Sequence, residues 1–284
     1  MYTSRFTRQT PGCFLFLLDQ SGSMTDPFGG NASVRKCDQL ALALNSWLQN
    51  MVVKCTGGDG VRDYANIGVF GYRTDAMGNP IIEPCLKGPL AERPVVPISE
   101  IEANVSRIDT LNQQYYDDET GELQEMPTQV PIWIDPVADG GTPMSTMFHY
   151  AYQVLEHWCS EHPASFPPLV IHISDGESSE GDPLPYVEAI QSLGTDDGKV
   201  LFINCHLSMT KADPLIYPAS SEVMPDDWAR IMFQMSSVLP ESIVTRAQAE
   251  GIPVQAGSRA MVFNADMVNL LQLLDFGTMV ANLR

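Results

Sequence analysis

Two six-residue segments, Cys13-Phe14-Leu15-Phe16-Leu17-Leu18 and Leu169-Val170-Ile171-His172-Ile173-Ser174, constrain the fold more than any other feature of the chain. Both are apolar at nearly every position rather than at alternate ones, the pattern of strands buried on both faces. Each is followed at once by an aspartate, Asp19 and Asp175. Strands covered on both faces belong to sheets with helices above and below, and such sheets are mostly parallel.

The rest of the chain fits that expectation. Further strand-like runs occupy 65–71, 200–206 and 259–263, and helical periodicity marks 33–54, 99–111, 143–162, 184–193, 226–235 and 266–280. In the first helix Leu40, Leu44, Trp47, Leu48 and Met51 recur at three- and four-residue steps, which gives one apolar stripe. Two segments interrupt the alternation. Residues 72–98 are rich in Gly and Pro and read as an extended or antiparallel edge. Residues 112–139 read as a long hairpin with an acidic tip, Asp117-Asp118-Glu119-Thr120-Gly121-Glu122. With no internal repeat and no long linker, 1–284 is expected to be a single domain carrying insertions at about 72–98 and 112–139.

Charge narrows the partners. The chain carries 35 Asp and Glu against 16 Lys and Arg, a formal net charge of −19. From Ile108 to Gly198 there is no Lys or Arg, while seventeen of the 35 acids fall there. Such a surface repels nucleic-acid backbones and anionic membranes and suits cations or basic protein faces. The one early apolar run is too short for a membrane span and misshapen for a signal peptide. The six cysteines contain no C-x-x-C pair. A reduced, cytoplasmic protein is expected.

Three short pieces carry the chemistry. The first strand ends in Asp19-Gln20-Ser21-Gly22-Ser23, a D-x-S-x-S pattern. Asp139-Gly140-Gly141-Thr142 precedes a helical pattern, and Asp175-Gly176 follows a buried strand. All three lie at strand ends or helix starts, where loops of an open α/β sheet converge on ligands. Asp19, Ser21, Ser23, Thr142 and Asp175 are hard oxygen donors without His or Cys, which favours Mg²⁺, Mn²⁺ or Ca²⁺ over zinc or copper. Gly22 is expected to permit the tight turn between the serines. Three neutral hydroxyls and two carboxylates leave such an ion open at one vertex, where an incoming carboxylate is the natural ligand.

These residues resemble the von Willebrand factor A family and its metal-ion-dependent adhesion site, with Asp19, Ser21, Ser23, Thr142 and Asp175 at all five positions of the motif. The resemblance runs from about Arg8 to the C-terminus. It implies a doubly wound, Rossmann-like sheet with helices on both faces, and a protein that binds partners through a divalent ion. Ser21, Ser23 and Thr142 would then touch the metal directly or through water, with Asp19 and Asp175 behind them. It further implies a cytoplasmic adaptor in a bacterial stress, signalling or defence system, beside a kinase, a phosphatase or an AAA-type ATPase. One departure is the long interval between Ser23 and Thr142, which bears on the rim of the site. Because Thr142 and Asp175 lie in the stretch without cations, a partner is expected to present its Asp or Glu within a basic surround.

Other residues read more plainly. Asp26, Glu177, Glu180 and Asp182 are expected as solvated loop acids, Cys159 and His162 as a helix end, His172 and His206 as core histidines, and Trp133 and Trp158 as core aromatics. No phosphate loop, G-x-G-x-x-G or G-x-S-x-G elbow occurs. The competing class is a Mg²⁺-dependent phosphohydrolase with Asp19 as nucleophile. It would want a carboxylate where Ser21 stands and a lysine, absent from 108–198, on the transferred phosphoryl group. The expectation is therefore a non-enzymatic module.

Overall fold

The computed structural model describes residues 1–29, 31–116, 123–207 and 213–280. Apart from three short ribbons, the strands are β1 (Gly12–Asp19), β2 (Ala65–Thr74), β3 (Pro80–Pro84), β4 (Val96–Pro97), β5 (Arg107–Tyr116), β6 (Leu123–Ile132), β7 (Leu169–Ser174), β8 (Leu201–Leu207), β9 (Leu215–Ile216) and β10 (Met261–Ala265). Among the described residues there are seven α-helices: α1 (Lys36–Cys55), α2 (Ile98–Ala103), α3 (Met144–Glu161), α4 (Leu184–Ser192), α5 (Asp227–Met235), α6 (Glu241–Ala249) and α7 (Met267–Val280).

Eight strands form one sheet in the order β9-β10-β8-β7-β1-β2-β3, with β4 on β2 beside β3. The five inner strands from β10 to β2 are parallel, and β9, β3 and β4 are antiparallel additions at the edges. The edge formed by β3 and β4 is the one the Gly- and Pro-rich segment 72–98 predicts. This is a mixed α/β fold with a mostly parallel central sheet, compatible with a Rossmann-like arrangement. The chain moves outward from β1 to β2, then crosses back to add β7 on the other side of β1. Strands that flank such a reversal splay their C-terminal loops apart and open a crevice. Asp19 and Asp175 stand on its two sides.

Every residue of β1 and β7 is buried, as the unbroken apolar runs require. Alternate residues of β1 feed two layers. Phe14, Phe16 and Leu18 belong to the core layer that includes residues of α1, α2, α6 and α7, while Cys13, Leu15 and Leu17 belong to the layer that includes residues of α3, α4 and α5. Trp47 of α1 packs edge-on against Phe14 and Phe16, with ring centroids 5.2 and 4.8 Å away. All six cysteines are buried free thiols. Among the described residues no helix is long and apolar enough to cross a membrane.

Three elements differ from the sequence expectation. The helix expected over 99–111 is α2 alone, closed at Asn104, and β5 starts at Arg107. Ten paired positions on β6, from Arg107 opposite Ile132 to Tyr116 opposite Leu123, outweigh the helical spacing of Ile101, Ile108 and Leu111. A two-stranded ribbon has a free edge, so Pro127 and Pro131 fit in β6. The acidic tip at 117–122 lies outside the described residues. The first helix begins at Lys36 rather than Ser33, because Asn31–Arg35 folds back on Pro27–Phe28 as a short ribbon. Helix α6 falls where the sequence shows no helical pattern. Its Ile243, Val244 and Thr245 are β-branched and poor local helix formers, and burial of Ile243, Val244 and Ala247 carries it instead.

Candidate metal centre

Asp19 ends β1 only 1% exposed. Its Oδ1 accepts from the Ser21 backbone N–H at 2.8 Å, and its Oδ2 accepts from the Ser174 hydroxyl, the last residue of β7, at 2.7 Å. The chain then turns into a 3₁₀ turn, Gly22–Thr25, which brings Ser21 Oγ within 3.1 Å of Ser23 Oγ. Ser23 Oγ in turn donates to Asp175 Oδ1 at 2.8 Å. Four of the five expected residues thus form one hydrogen-bonded run across the crevice. Ser23 is exposed and marks the side open to solvent.

The fifth, Thr142, arrives on a loop tied to the same strand ends. Gly22 N–H donates to Gly140 O at 2.9 Å, and Asp139 N–H donates to Gln20 O at 2.7 Å. Gly141 N–H donates to Thr74 Oγ1 at 2.7 Å, at the end of β2. Gly140 has φ +70°, and a Cβ there would lie 2.1 Å from the Thr74 carbonyl oxygen, so only glycine fits. Gly22, by contrast, has no positive φ, and a Cβ would stand 3.5 Å from Gly140 O. The turn between the serines therefore does not require a glycine at 22, whereas the Thr142 loop requires one at 140. The Thr142 carbonyl accepts from Ser179 N–H at 2.9 Å, and among the described residues no hydrogen bond uses its hydroxyl.

Two residues of the centre escaped sequence reasoning. Ser174 reads as the end of a strand, yet its hydroxyl anchors Asp19. Lys36 reads as one more position in a helix, yet its Nζ lies 2.6 Å from Asp175 Oδ2 and 3.9 Å from Asp26 Oδ2. The lysine side chain is 4% exposed and that of Asp175 0%. Burial pushes the Asp19 carboxyl up to about 6, against the lowering effect of its bonds from Ser174 and Ser21. Burial likewise pulls the nearby His206 down to about 4.

A buried polar row lies beneath the crevice. Tyr72 Oη is 2.7 Å from His172 Nε2, His172 Nδ1 is 2.8 Å from Asn204 Oδ1, and Asn204 Nδ2 donates to Ser236 Oγ at 2.9 Å. With Nδ1–H donating to the amide oxygen, Nε2 accepts from the phenol. Burial holds this ring neutral, with its pKa down at about 4.

The outlying acids divide. Asp26 approaches Lys36, Glu180 caps α3 by accepting from Thr146 N–H at 2.8 Å and Thr146 Oγ1 at 2.7 Å, and Asp182 accepts from Leu184 N–H at 3.0 Å. Glu177 is exposed. Cys159 is buried, and His162 closes α3 and stacks on Trp158 with centroids 4.4 Å apart, as the helix-end reading predicts. Trp133 and Trp158 are both core residues.

Among the described residues no three His, Cys, Asp or Glu side chains gather as a metal cluster, so an ion here would depend on hydroxyls as well as carboxylates. Two of the hydroxyls are spaced as neighbouring ligands would be. Neighbouring ligands of an octahedral Mg²⁺ site, each at about 2.1 Å, stand about 3 Å apart. The separation of Ser21 Oγ and Ser23 Oγ is 3.1 Å.

No protein-family model and no curated protein matches the sequence. Among solved structures the chain is similar to the PilB minor pilin from Streptococcus sanguinis, with a TM-score of 0.46 and 10% identity over 97% of this chain and 63% of that one. It is also similar to the vWF domain of the type V pili tip protein Mfa5 from Porphyromonas gingivalis, with a TM-score of 0.31 and 13% identity over 60% of this chain and 39% of that one. A structure of three N-terminal domains of that tip protein gives a TM-score of 0.31 and 12% identity over 60% of this chain and 20% of that one. The chain spans less than two thirds of the length of each.

Proposed function

We propose that the chain is a protein-interaction domain of the von Willebrand factor A type that engages its partner through a divalent cation, Mg²⁺ or Mn²⁺ rather than a soft metal. The observation that carries this reading is the run Ser21 Oγ, Ser23 Oγ and Asp175 Oδ1, at steps of 3.1 and 2.8 Å, over the buried Asp19 at the reversal of strand order. Ser21, Ser23 and Thr142 would hold the ion, and Asp19 and Asp175 would orient the hydroxyls and balance its charge. When bound, the ion supplies a Lewis-acidic vertex for a partner carboxylate. The protein's part is to hold the oxygens in place and leave the Ser23 side open. A partner with its Asp or Glu in a basic surround suits the acidic stretch that contains Thr142 and Asp175. By the same resemblance its setting is a cytoplasmic adaptor role beside a kinase, phosphatase or ATPase.

A Mg²⁺-dependent phosphohydrolase has gained one element, since Lys36 supplies in space the lysine that 108–198 lacks in sequence. Against it, Asp19 is buried with both oxygens already engaged, which leaves no exposed nucleophile. Calorimetric titration with Mn²⁺ tests the proposal. Wild type should bind, and Thr142→Ala should bind at least about tenfold more weakly while folded by circular dichroism. Absence of binding by wild type at millimolar Mn²⁺ would overturn it. Mg²⁺-dependent turnover of a phosphate ester that Asp19→Asn abolishes would establish the rival instead.

A further inference from the structure

Lys36 is the residue that neither fold nor helix accounts for. It is the first residue of α1, where the partial positive charge of the helix N-terminus opposes a cation. Its side chain is also 4% exposed, so the ammonium has lost nearly all its water. An apolar residue would satisfy the burial and remove both penalties. Its neighbour Arg35 shows the ordinary alternative, reaching outward to pair with Asp38 at the surface. What offsets the cost for Lys36 is the centre itself: Asp175 Oδ2 at 2.6 Å and Asp26 Oδ2 at 3.9 Å. The other oxygen of Asp175 accepts from Ser23 Oγ at 2.8 Å, so both oxygens of this carboxylate already have partners within the chain.

We propose that Lys36 is a built-in counter-cation of the centre whose ammonium opposes loading of a divalent ion, so that the charge of Asp175 would balance such an ion only as Lys36 gives it up. This rests on the metal-centre reading above. An ammonium and a divalent ion repel each other strongly in a pocket shielded from water. Without an ion, Lys36 neutralises Asp175 and keeps the crevice folded. With an ion, Lys36 would withdraw toward Asp26, whose side chain is 43% exposed. The lysine thereby sets the ion concentration at which the domain becomes competent for a carboxylate partner.

The test titrates wild type, Lys36→Met and Lys36→Arg with Mn²⁺ by calorimetry and records their thermal unfolding with and without the ion. Lys36→Met should bind Mn²⁺ at least about tenfold more tightly than wild type, and Lys36→Arg should stay near wild type. Metal-free Lys36→Met should melt at a lower temperature than wild type and recover when Mn²⁺ is added. Equal or weaker binding by Lys36→Met overturns the role of Lys36 and leaves the metal centre standing. No binding by either chain overturns the metal centre, and this inference with it. Should Lys36→Met not fold, a crystal structure of wild type with Mn²⁺ decides. Lys36 Nζ displaced from Asp175 supports the proposal, and an ammonium still bonded to that carboxylate beside a bound ion refutes it.

Discussion

The Ser174 hydroxyl donates to Asp19 Oδ2 at 2.7 Å, so the last residue of β7 fixes the last residue of β1. Removing it leaves a buried carboxylate oxygen without a donor, which costs about 1–3 kcal/mol. Ser174→Ala should therefore unfold at lower urea concentration. It should also bind Mn²⁺ about 10- to 100-fold more weakly, because an outer partner that orients the centre is gone. Unchanged Mn²⁺ affinity would show that Asp19 needs no such anchor.

Two glycines near the centre should respond in opposite ways. Gly140→Ala puts a Cβ 2.1 Å from the Thr74 carbonyl at a backbone φ of +70°, so the Thr142 loop must leave its place on β1 and β2. Loss of Mn²⁺ binding and destabilisation of about 2 kcal/mol or more are expected. Gly22→Ala meets only an ordinary contact at 3.5 Å. It should fold and bind the ion within about threefold of wild type, by the same denaturation and calorimetry.

Asn45 holds the chain leading from the hairpin to the Thr142 loop. Its Oδ1 accepts from the N–H groups of Trp133 and Ile134 at 2.9 and 3.0 Å, and its Nδ2 donates to Ile134 O at 2.9 Å. Asn45→Leu keeps the branched shape of the side chain but strips partners from three backbone groups. The expected loss is about 3 kcal/mol or more in urea unfolding, far above that of a typical core swap of equal size.

His172 makes stability depend on pH. Folded, its pKa is about 4, against 6.5 for a free histidine. Between those values the unfolded chain binds a proton that the folded one refuses. The contribution is therefore fully present above 6.5 and is lost as pH falls toward 4, at up to about 1.4 kcal/mol per pH unit. Asp19 runs the other way in chelator, because its folded pKa of about 6 lies above 3.8 and its charged form is the costly one. His172→Gln should flatten the acid side of the profile, read by urea unfolding between about pH 4.5 and 7. A profile of unchanged slope would refute the assignment.

Much of this architecture is legible in the sequence because it rests on local signals. The unbroken apolar runs give β1 and β7, and the positions of Asp19, Ser21, Ser23 and Asp175 after those runs place them on one edge. What is not legible depends on partners far along the chain. Ser174 and Lys36 matter only through Asp19 and Asp175, 155 and 139 residues away. Gly140 is required only because Thr74 lies under it. The start of β5 at Arg107 follows from ten pairings on β6 rather than from its own residues, and α6 exists because its β-branched side chains find a core.

Strands as uniformly apolar as β1 and β7 carry little information about how far along one another they should lie, since a slide of two residues keeps every side chain on its face and still buries it. The row Tyr72, His172, Asn204 and Ser236 supplies that information. His172 sits directly opposite Asn204, and Tyr72 reaches over β1 to the same ring. A slide of β2, β7 or β8 past the others leaves polar groups of this row inside the sheet without partners. The row thus acts as a register mark for β2, β7 and β8, and β1, paired between β2 and β7, carries Asp19 to the edge where Ser174 and Asp175 stand.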